Sequence, residues 1–458
     1  MITLSENSFS QQAQQLFVQL FRDATPFINA FRHKTFIIYF SDTLFTGSQL
    51  HSFVRDLTLL HSLGIKLVLV HSTRNIINQK LDEAKISYKI NDELRITTKE
   101  QLAIIKNIYG DIRFELENLF IKSINNNLQA SEKKEVNNLN IVSGNFVTAQ
   151  PLGILDGINY QHTGKVRKIN AEKIQSLLND ENIVLLSPLA SSPSGEIFNL
   201  EAADLATECA IKIQADKLIF ITQNKGLYKK GQIIQEITSL ELKHNYLPEQ
   251  AESLSVAEVN QLKRIIYAAD NGINKIQLLD YQHDGGLLLE IFTNQGIGTL
   301  ISRDNLEEIC QAQEEDINGI KQLIKPLEES GNILTRTIEQ LSNDIDNFYV
   351  IKRESQVIAC AALYQFQHSQ TVQSKEAELA CLAVNQSYQH SGRASKLFNF
   401  ICNEARQRQI SLIYVLTTQT SHWFKERGFI KGKFEDLPKE KQHSINKNRK
   451  SEVYFYKT

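Results

Sequence analysis

Glu378-Leu-Ala-Cys-Leu-Ala-Val384, Asn385-Gln-Ser-Tyr388, Gln389-His-Ser-Gly-Arg-Ala394 and the run from Ser395 to Arg408 are the stretch on which the reading of this chain turns. The first part is a short apolar run headed by Glu378, with the length of a buried strand. The last part sets Ala394, Leu397, Phe398, Ile401 and Ala405 at helical spacing. Between them stands Gln-x-x-Gly-x-Ala, a strand-to-helix turn centred on Gly392. Such a turn aims backbone N–H groups and the positive end of a helix at one point. That is an anion site, suited to a pyrophosphate. Gly392 has no Cβ to hold a ligand away from the backbone. A second apolar strand, Leu412–Thr417, follows.

The chain has 458 residues, enough for two large domains or three smaller ones. With 42% hydrophobic and 22% charged residues the composition is globular, and a net charge of −2 gives no electrostatic reason to expect nucleic acid or an anionic membrane as partner. The five cysteines, Cys209, Cys310, Cys360, Cys381 and Cys402, are odd in number and lack a Cys-x-x-Cys pair. This predicts reduced thiols in a cytoplasmic protein and no metal site. The N-terminus has no basic segment followed by an apolar one, and no run of about 18 apolar residues occurs, so neither export nor membrane spanning is expected.

Residues 8–32 read as an amphipathic helix, broken near Pro26, that packs either on its own domain or on another subunit. From Lys34 apolar strands and helices alternate: Thr35–Phe40, helix Leu50–Leu63, Lys66–Val70, Ile141–Phe146, Ile183–Leu186, helix Ala202–Ile213, Lys217–Thr222 and Lys275–Leu279. This predicts an α/β domain with a mostly parallel sheet in a three-layer arrangement over 34–302, preceded by the helical segment 1–33. Gly64 and Gly272 fit helix ends leading into strands. The polar stretch Gln129–Asn138 reads as a loop, and the charged residues 303–316 as a linker. A second domain, 317–458, then opens with a helix at Ile317–Ser330 and strands at Phe348–Arg353 and Gln356–Gln367.

The turn Gln389–Ala394, with a strand on each side and the closing segment His422-Trp-Phe-x-x-Arg-Gly-Phe429, resembles the acetyl-coenzyme A turn of the GNAT acetyltransferases. Ala215-Asp-Lys-Leu-Ile-Phe-Ile-Thr222, Gly195-Glu-x-x-Asn199 and Glu290-Ile-Phe-Thr-Asn-Gln-Gly-Ile-Gly298 resemble the amino-acid kinases, acetylglutamate kinase among them. Those kinases cradle phosphate on glycine turns after their first two strands. This chain has Tyr39-Phe40-Ser41-Asp42 and His71-Ser72-Thr73 there, so a kinase fold without ATP chemistry is expected. The two domains in this order resemble the bacterial N-acetylglutamate synthases over nearly the whole chain. Leu59-Leu-His-Ser-Leu-Gly-Ile65, Val142-Ser-Gly-Asn-Phe146 and Ala359-Cys-Ala-Ala-Leu-Tyr364 add to the likeness.

That resemblance implies transfer of an acetyl group from acetyl-CoA to L-glutamate, in the first step of arginine biosynthesis. An amine attacks a thioester directly, so no covalent nucleophile is required. The ammonium must first lose a proton, and Glu378 at the head of its strand is the base the resemblance favours. Thr417 and His422 are the candidate acids; Cys381 is a small buried strand residue at a place where the family has an active-site cysteine. Leu382, Val384, Gln389, His390, Ser391, Gly392, Arg393 and Ala394 fall at the coenzyme. Arg336 with Leu334, and Arg449 with Ser451, fall at the acceptor, whose two carboxylates a guanidinium fork would grip. The kinase-like domain would sense L-arginine through Glu290, Gly296, Gly298 and Tyr281, and a homo-oligomer, a hexamer in the family, is implied. Two rivals are an amino-acid-binding regulator with an inactive second domain and an active kinase. The intact Gln389–Ala394 turn speaks against the first and the missing glycine turns against the second.

Overall fold

Apolar runs become central strands here because both of their faces are covered by helices. The computed structural model describes residues 11–47, 49–128, 139–293, 296–303, 307–353, 356–367, 375–389, 392–418, 420–444 and 451–458. The chain divides into two units, Met1–Asn305 and Leu306–Thr458. In the first, β1 (Thr35–Phe40), β2 (Lys66–His71), β3 (Ile141–Val142), β4 (Ile183–Leu186), β5 (Lys217–Thr222), β6 (Glu236–Thr238), β7 (Lys275–Asp280) and β8 (Thr299–Ser302) form one sheet. Its order is β6-β8-β7-β5-β1-β2-β4-β3, and all neighbours run parallel except β7 and β8. Side chains alternate between two cores. Ile37 faces α4 (Ala202–Ile213) and α5 (Val256–Asp270). Phe36, Ile38 and Phe40 face α1 (Gln11–Phe31), α2 (Leu50–Ser62), α3 (Lys99–Leu128) and α6 (Gly286–Phe292). The expected three layers are therefore present.

Three local expectations change. The strand read over Ile141–Phe146 stops at Val142, because Ser143, Gly144 and Asn145 offer the central sheet no apolar side chain. Phe146 is buried instead beside the strand Val147–Pro151 of a smaller, four-stranded sheet. The helix does not break at Pro26: α1 runs through it. Its outer face is exposed, so the carbonyl that loses its N–H partner at Pro26 can be hydrated, and Thr25 Oγ1 donates to the neighbouring Phe21 carbonyl at 2.9 Å. The charged stretch 303–316 contains strand β9 (Glu307–Gln311), which pairs antiparallel in the second unit. Charged side chains suit an edge strand, and that is why this one reads like a linker. Residues 129–138, expected as a loop, lie outside the described residues.

The second unit is a seven-stranded sheet of β9, β10 (Phe348–Arg353), β11 (Gln356–Gln367), β12 (Lys375–Val384), β13 (Ile410–Thr417), β14 (Ile430–Lys431) and β15 (Glu452–Lys457), ordered β9-β10-β11-β12-β13-β15-β14. Only β12 and β13 run parallel. Helix α7 (Ile317–Glu329) packs on one face through Ile317, Ile320 and Ile324. Helix α8 (Arg393–Gln407) packs on the other through Leu397, Phe398, Ile401 and Ala405, at the spacing read from the sequence. No helix among the described residues is long and apolar enough to cross a membrane.

Candidate functional site

The sheet of the second unit opens at its centre. β12 and β13 are paired only from Lys375 to Glu378 against Ile410 to Tyr414. Beyond Glu378, β12 continues to Val384 against β11 alone, and β13 continues to Thr417 against β15. A bulge helps turn β12 aside: Cys360 and Ala362 oppose Ala383 and Ala380, and between these Cys381 takes the left-handed backbone at φ 53°. The parting strands leave facing backbone groups that do not pair with each other, which is where an extended ligand chain can lie.

Gly392 caps α8 at the mouth of this opening. Its φ of 79° needs glycine, no side chain caps the helix, and a Cβ there would meet nothing within 4 Å. The turn is thus an open helix N-terminus, as its sequence predicted. Arg393 is turned aside to Glu307 and over the Tyr388 ring at 4.8 Å, and Lys396 reaches Glu307 at 3.3 Å. Leu382 and Val384 are half-buried, and Gln389 Nε2 donates to the Val384 carbonyl at 3.2 Å, folding the turn back on the strand. His390 and Ser391 lie outside the described residues.

At the point where the strands part sits Glu378, 7% exposed. It is in register with Tyr364 of β11 and Tyr414 of β13, so the three side chains share one face of the sheet. Lys441 of α9 (Lys439–Ser444) reaches Glu378 Oε2 with Nζ at 2.6 Å. Arg336 completes the group. It hydrogen-bonds Tyr364, and its Nη1 donates to the Leu334 carbonyl at 3.2 Å. The Tyr364 hydroxyl in turn donates to Asp344 Oδ2 at 3.2 Å. Burial opposes the Arg336 charge, but Cys381, Tyr364 and Glu378 around it outweigh that and raise its pKa. Burial pushes the Cys381 thiol up to about 11, with Arg336 only partly offsetting it. Cys381 is therefore a protonated thiol at neutral pH and a poor nucleophile.

The other expected residues fall apart from this group. The Thr417 hydroxyl is held by Thr420, through Oγ1 at 2.8 Å and the backbone N–H at 3.1 Å. By strand alternation Thr417 belongs with Ile413 and Val415 on the α8 face, opposite to Tyr414 and Glu378. His422 is exposed on the short helix Ser421–Lys425. Ser451 leads into β15, whose Glu452 pairs with Thr417. Arg449 lies outside the described residues. Sequence reasoning missed Lys441 and Tyr364. Tyr364 ends a motif quoted above, and strand alternation with Glu378 was the signal that could have found it; Lys441 carries no local signal.

In the first unit the phosphate turns of a kinase are filled. Asp42 is 1% exposed and accepts from Asn75 N at 2.5 Å, Ile76 N at 3.2 Å and Asn75 Nδ2 at 2.9 Å. It thereby caps the helix Arg74–Glu83 with a carboxylate. His71 is buried against Ser187 Oγ at 3.0 Å, and burial lowers its pKa to about 4. Glu290 is 8% exposed; its Oε2 accepts from Ile297 N at 2.7 Å and Gly298 N at 3.0 Å, and its Oε1 from Gln277 Nε2 at 3.2 Å. A Cβ on Gly296 would stand 2.5 Å from the Glu290 carboxylate, and one on Gly298 would stand 2.1 Å from the Leu278 carbonyl. These glycines let the loop close on Glu290. Tyr281 is not in this group; it lines a small cavity with Phe53 and Leu287 at the other end of α6.

A kinase-like sheet with filled phosphate turns, followed by an opened acetyltransferase sheet, defines a two-part amino-acid acetyltransferase architecture. Residues 34–258 match the model of the amino acid kinase family, and residues 308–429 that of the acetyltransferase (GNAT) family. The chain is 39% identical to an amino-acid acetyltransferase of Ralstonia nicotianae over 97% of its own length and 96% of the relative's. It is similar in structure to an N-acetylglutamate synthase from Neisseria gonorrhoeae complexed with coenzyme A and L-arginine, at 30% identity and TM-score 0.80, covering 96% of this chain and 99% of that one. The same enzyme complexed with coenzyme A and N-acetyl-glutamate matches at 31% identity and TM-score 0.60, with the same coverage. The chain belongs to the amino-acid acetyltransferase family, that of the N-acetylglutamate synthases.

Proposed function

We propose that the chain transfers the acetyl group of acetyl-CoA to the α-amine of L-glutamate, releasing CoA and N-acetylglutamate and so opening arginine biosynthesis. The observation that carries this reading is the meeting of Glu378, Arg336 and the protonated Cys381 where β12 and β13 part. The pyrophosphate of the coenzyme rests on the open N-terminus of α8 at Gly392, and its pantetheine arm follows the gap between the strands. Arg336 grips one carboxylate of the acceptor. Glu378 takes a proton from the ammonium, directly or through water. The amine nitrogen then attacks the thioester carbon, the C–S bond breaks, and the thiolate leaves and takes up a proton. A neutral buried thiol at Cys381 fits this direct route better than an acylated cysteine.

The first unit acts in this reading as the sensor of L-arginine and binds no ATP. The solved relative complexed with coenzyme A and L-arginine supports the effector. Glu290, holding the N–H groups of Ile297 and Gly298, shapes the loop that receives it. Leu16, Phe17, Leu20 and Phe21 on the exposed face of α1 supply an apolar contact between copies, as a hexamer requires. Incubation with acetyl-CoA and L-glutamate, with and without L-arginine, tests the whole reading by release of free CoA thiol. Thiol release that depends on glutamate and falls with arginine is expected. No glutamate-dependent release removes the proposed reaction, and an unchanged rate with arginine removes the sensor.

A further inference from the structure

The ion pair between Lys441 and Glu378 has no place in the reaction as written above, yet it is one of the most enclosed in the second unit. The two side chains are 19% and 9% exposed, and the N···O distance is 2.6 Å. Around Glu378 stand Tyr364 from β11, Tyr414 from β13, and Glu376 and Cys381 from β12 itself. Arg336 approaches from the segment before the helix Ile338–Asn343, but its guanidinium bonds Tyr364 and the Leu334 carbonyl. Among the described residues, Lys441 is the cation in ion-pair contact with the carboxylate.

Lys441 is also delivered from a fixed support. Its backbone N–H bonds the Pro438 carbonyl at 2.9 Å. The next residue, Gln442, donates Nε2 to the carbonyls of Glu435 at 3.0 Å and Leu437 at 2.7 Å. Leu437 is buried against Tyr414 and Val453 of the sheet. The segment that carries the lysine is therefore packed on the strand beside Glu378.

We infer that Lys441 is a positioning residue for the transfer: its ammonium, 2.6 Å from Oε2, keeps the Glu378 carboxylate turned to the place where the acceptor amine arrives. A carboxylate held by a fixed partner faces the incoming ammonium in one way, and a catalytic group displaced by about 1 Å can lose on the order of 100-fold in rate. The inference rests on the reading of Glu378 as the base.

The test uses the full chain with Lys441→Met, Lys441→Arg, Glu378→Gln and the double variant Glu378→Gln/Lys441→Met. The readout is kcat/KM for glutamate against pH at saturating acetyl-CoA. For Lys441→Met the rate near neutrality falls by about tenfold or more. Lys441→Arg follows the wild-type profile, and the lysine change adds nothing in the Glu378→Gln background. If Lys441→Met does not fold, Lys441→Gln carries the same expectation. A wild-type profile for Lys441→Met beside a deficient Glu378→Gln overturns the inference and leaves the base in place. A further loss of the same size in the Glu378→Gln background assigns the lysine to structure and overturns it too. Wild-type turnover in Glu378→Gln removes the base, and the role of Lys441 with it.

Discussion

Replacing Gly392 by valine separates the coenzyme from the fold. The residue caps α8 at φ 79°, and a Cβ built on it meets no protein atom within 4 Å. The cost to the protein is therefore backbone strain alone, about 1–2 kcal/mol for a non-glycine residue in this region and more for a branched one. Domains of this kind hold about 5–15 kcal/mol in reserve, so the variant folds. The added isopropyl group enters the space in which a pyrophosphate would meet the first N–H groups of α8. A hydrogen bond to a charged group is worth about 1.5–3 kcal/mol, and about 1.4 kcal/mol is tenfold in affinity. Loss of one such bond raises the KM for acetyl-CoA by roughly 10- to 100-fold. At saturating coenzyme kcat changes by no more than a few-fold, because Gly392 is not among the groups at Glu378. Initial rates of thiol release against acetyl-CoA at saturating glutamate measure both constants, and circular dichroism checks the fold. Gly392→Ala falls between wild type and valine. An unchanged KM in a folded Gly392→Val enzyme removes the turn from the coenzyme site.

Asp42→Asn leaves the shape of the cap and removes its charge, so thermal unfolding of the first unit comes earlier by about 1–3 kcal/mol; an unchanged melting temperature means the cap carries no stability. Glu290→Gln weakens the hold on Ile297 and Gly298, so the arginine concentration for half-inhibition rises by about tenfold or more while uninhibited turnover stays near wild type. Equal potency in both excludes Glu290 from the effector site. His71 is buried neutral with a pKa lowered to about 4, so the unfolded chain binds the extra proton between about 6.5 and 4. Its contribution to stability is complete above about 6.5 and is lost as pH falls toward 4, on the order of 1–3 kcal/mol. Urea unfolding of wild type and His71→Gln across that window checks it, and parallel pH slopes would refute the assignment.

What the sequence discloses is what local chemistry fixes. Apolar runs of strand length name the central strands of both sheets, and Gln389–Ala394 announces an open helix N-terminus by its glycine and its place between strand and helix. What it hides is set by pairing between distant segments. The left-handed backbone of Cys381 follows from the register of β12 against β11, not from any preference of cysteine. Lys441 lies in a charged run, Lys439-Glu-Lys-Gln442, in which nothing marks one lysine as facing a strand far back in the chain. Strand β9 alternates too few apolar residues to declare itself, since an edge strand buries only one flank. Glu290 was legible as a special residue, but its partners, the N–H groups it holds, are backbone and leave no trace in side-chain identity.

The two units use one physical device in opposite senses. A helix N-terminus presents unsatisfied N–H groups and partial positive charge, and something negative settles there. In the first unit the helix Arg74–Glu83 receives no side-chain bond from its own N-cap, Thr73; Asp42, just beyond the end of β1, takes the N–H groups of Asn75 and Ile76. A phosphate approaching that helix would meet a buried carboxylate, and two anions at one N-terminus repel rather than bind. In the second unit Gly392 leaves α8 without a side-chain cap and with open space beyond it. The nearby acid Glu307 is held off by Arg393 and Lys396 instead of turning onto the helix. One N-terminus is closed by the chain's own acid and the other kept clear of it. That difference, rather than the overall likeness of the first unit to a kinase, is the physical ground on which the proposed reading puts the phosphate-bearing ligand in the second unit and a ligand without phosphate in the first.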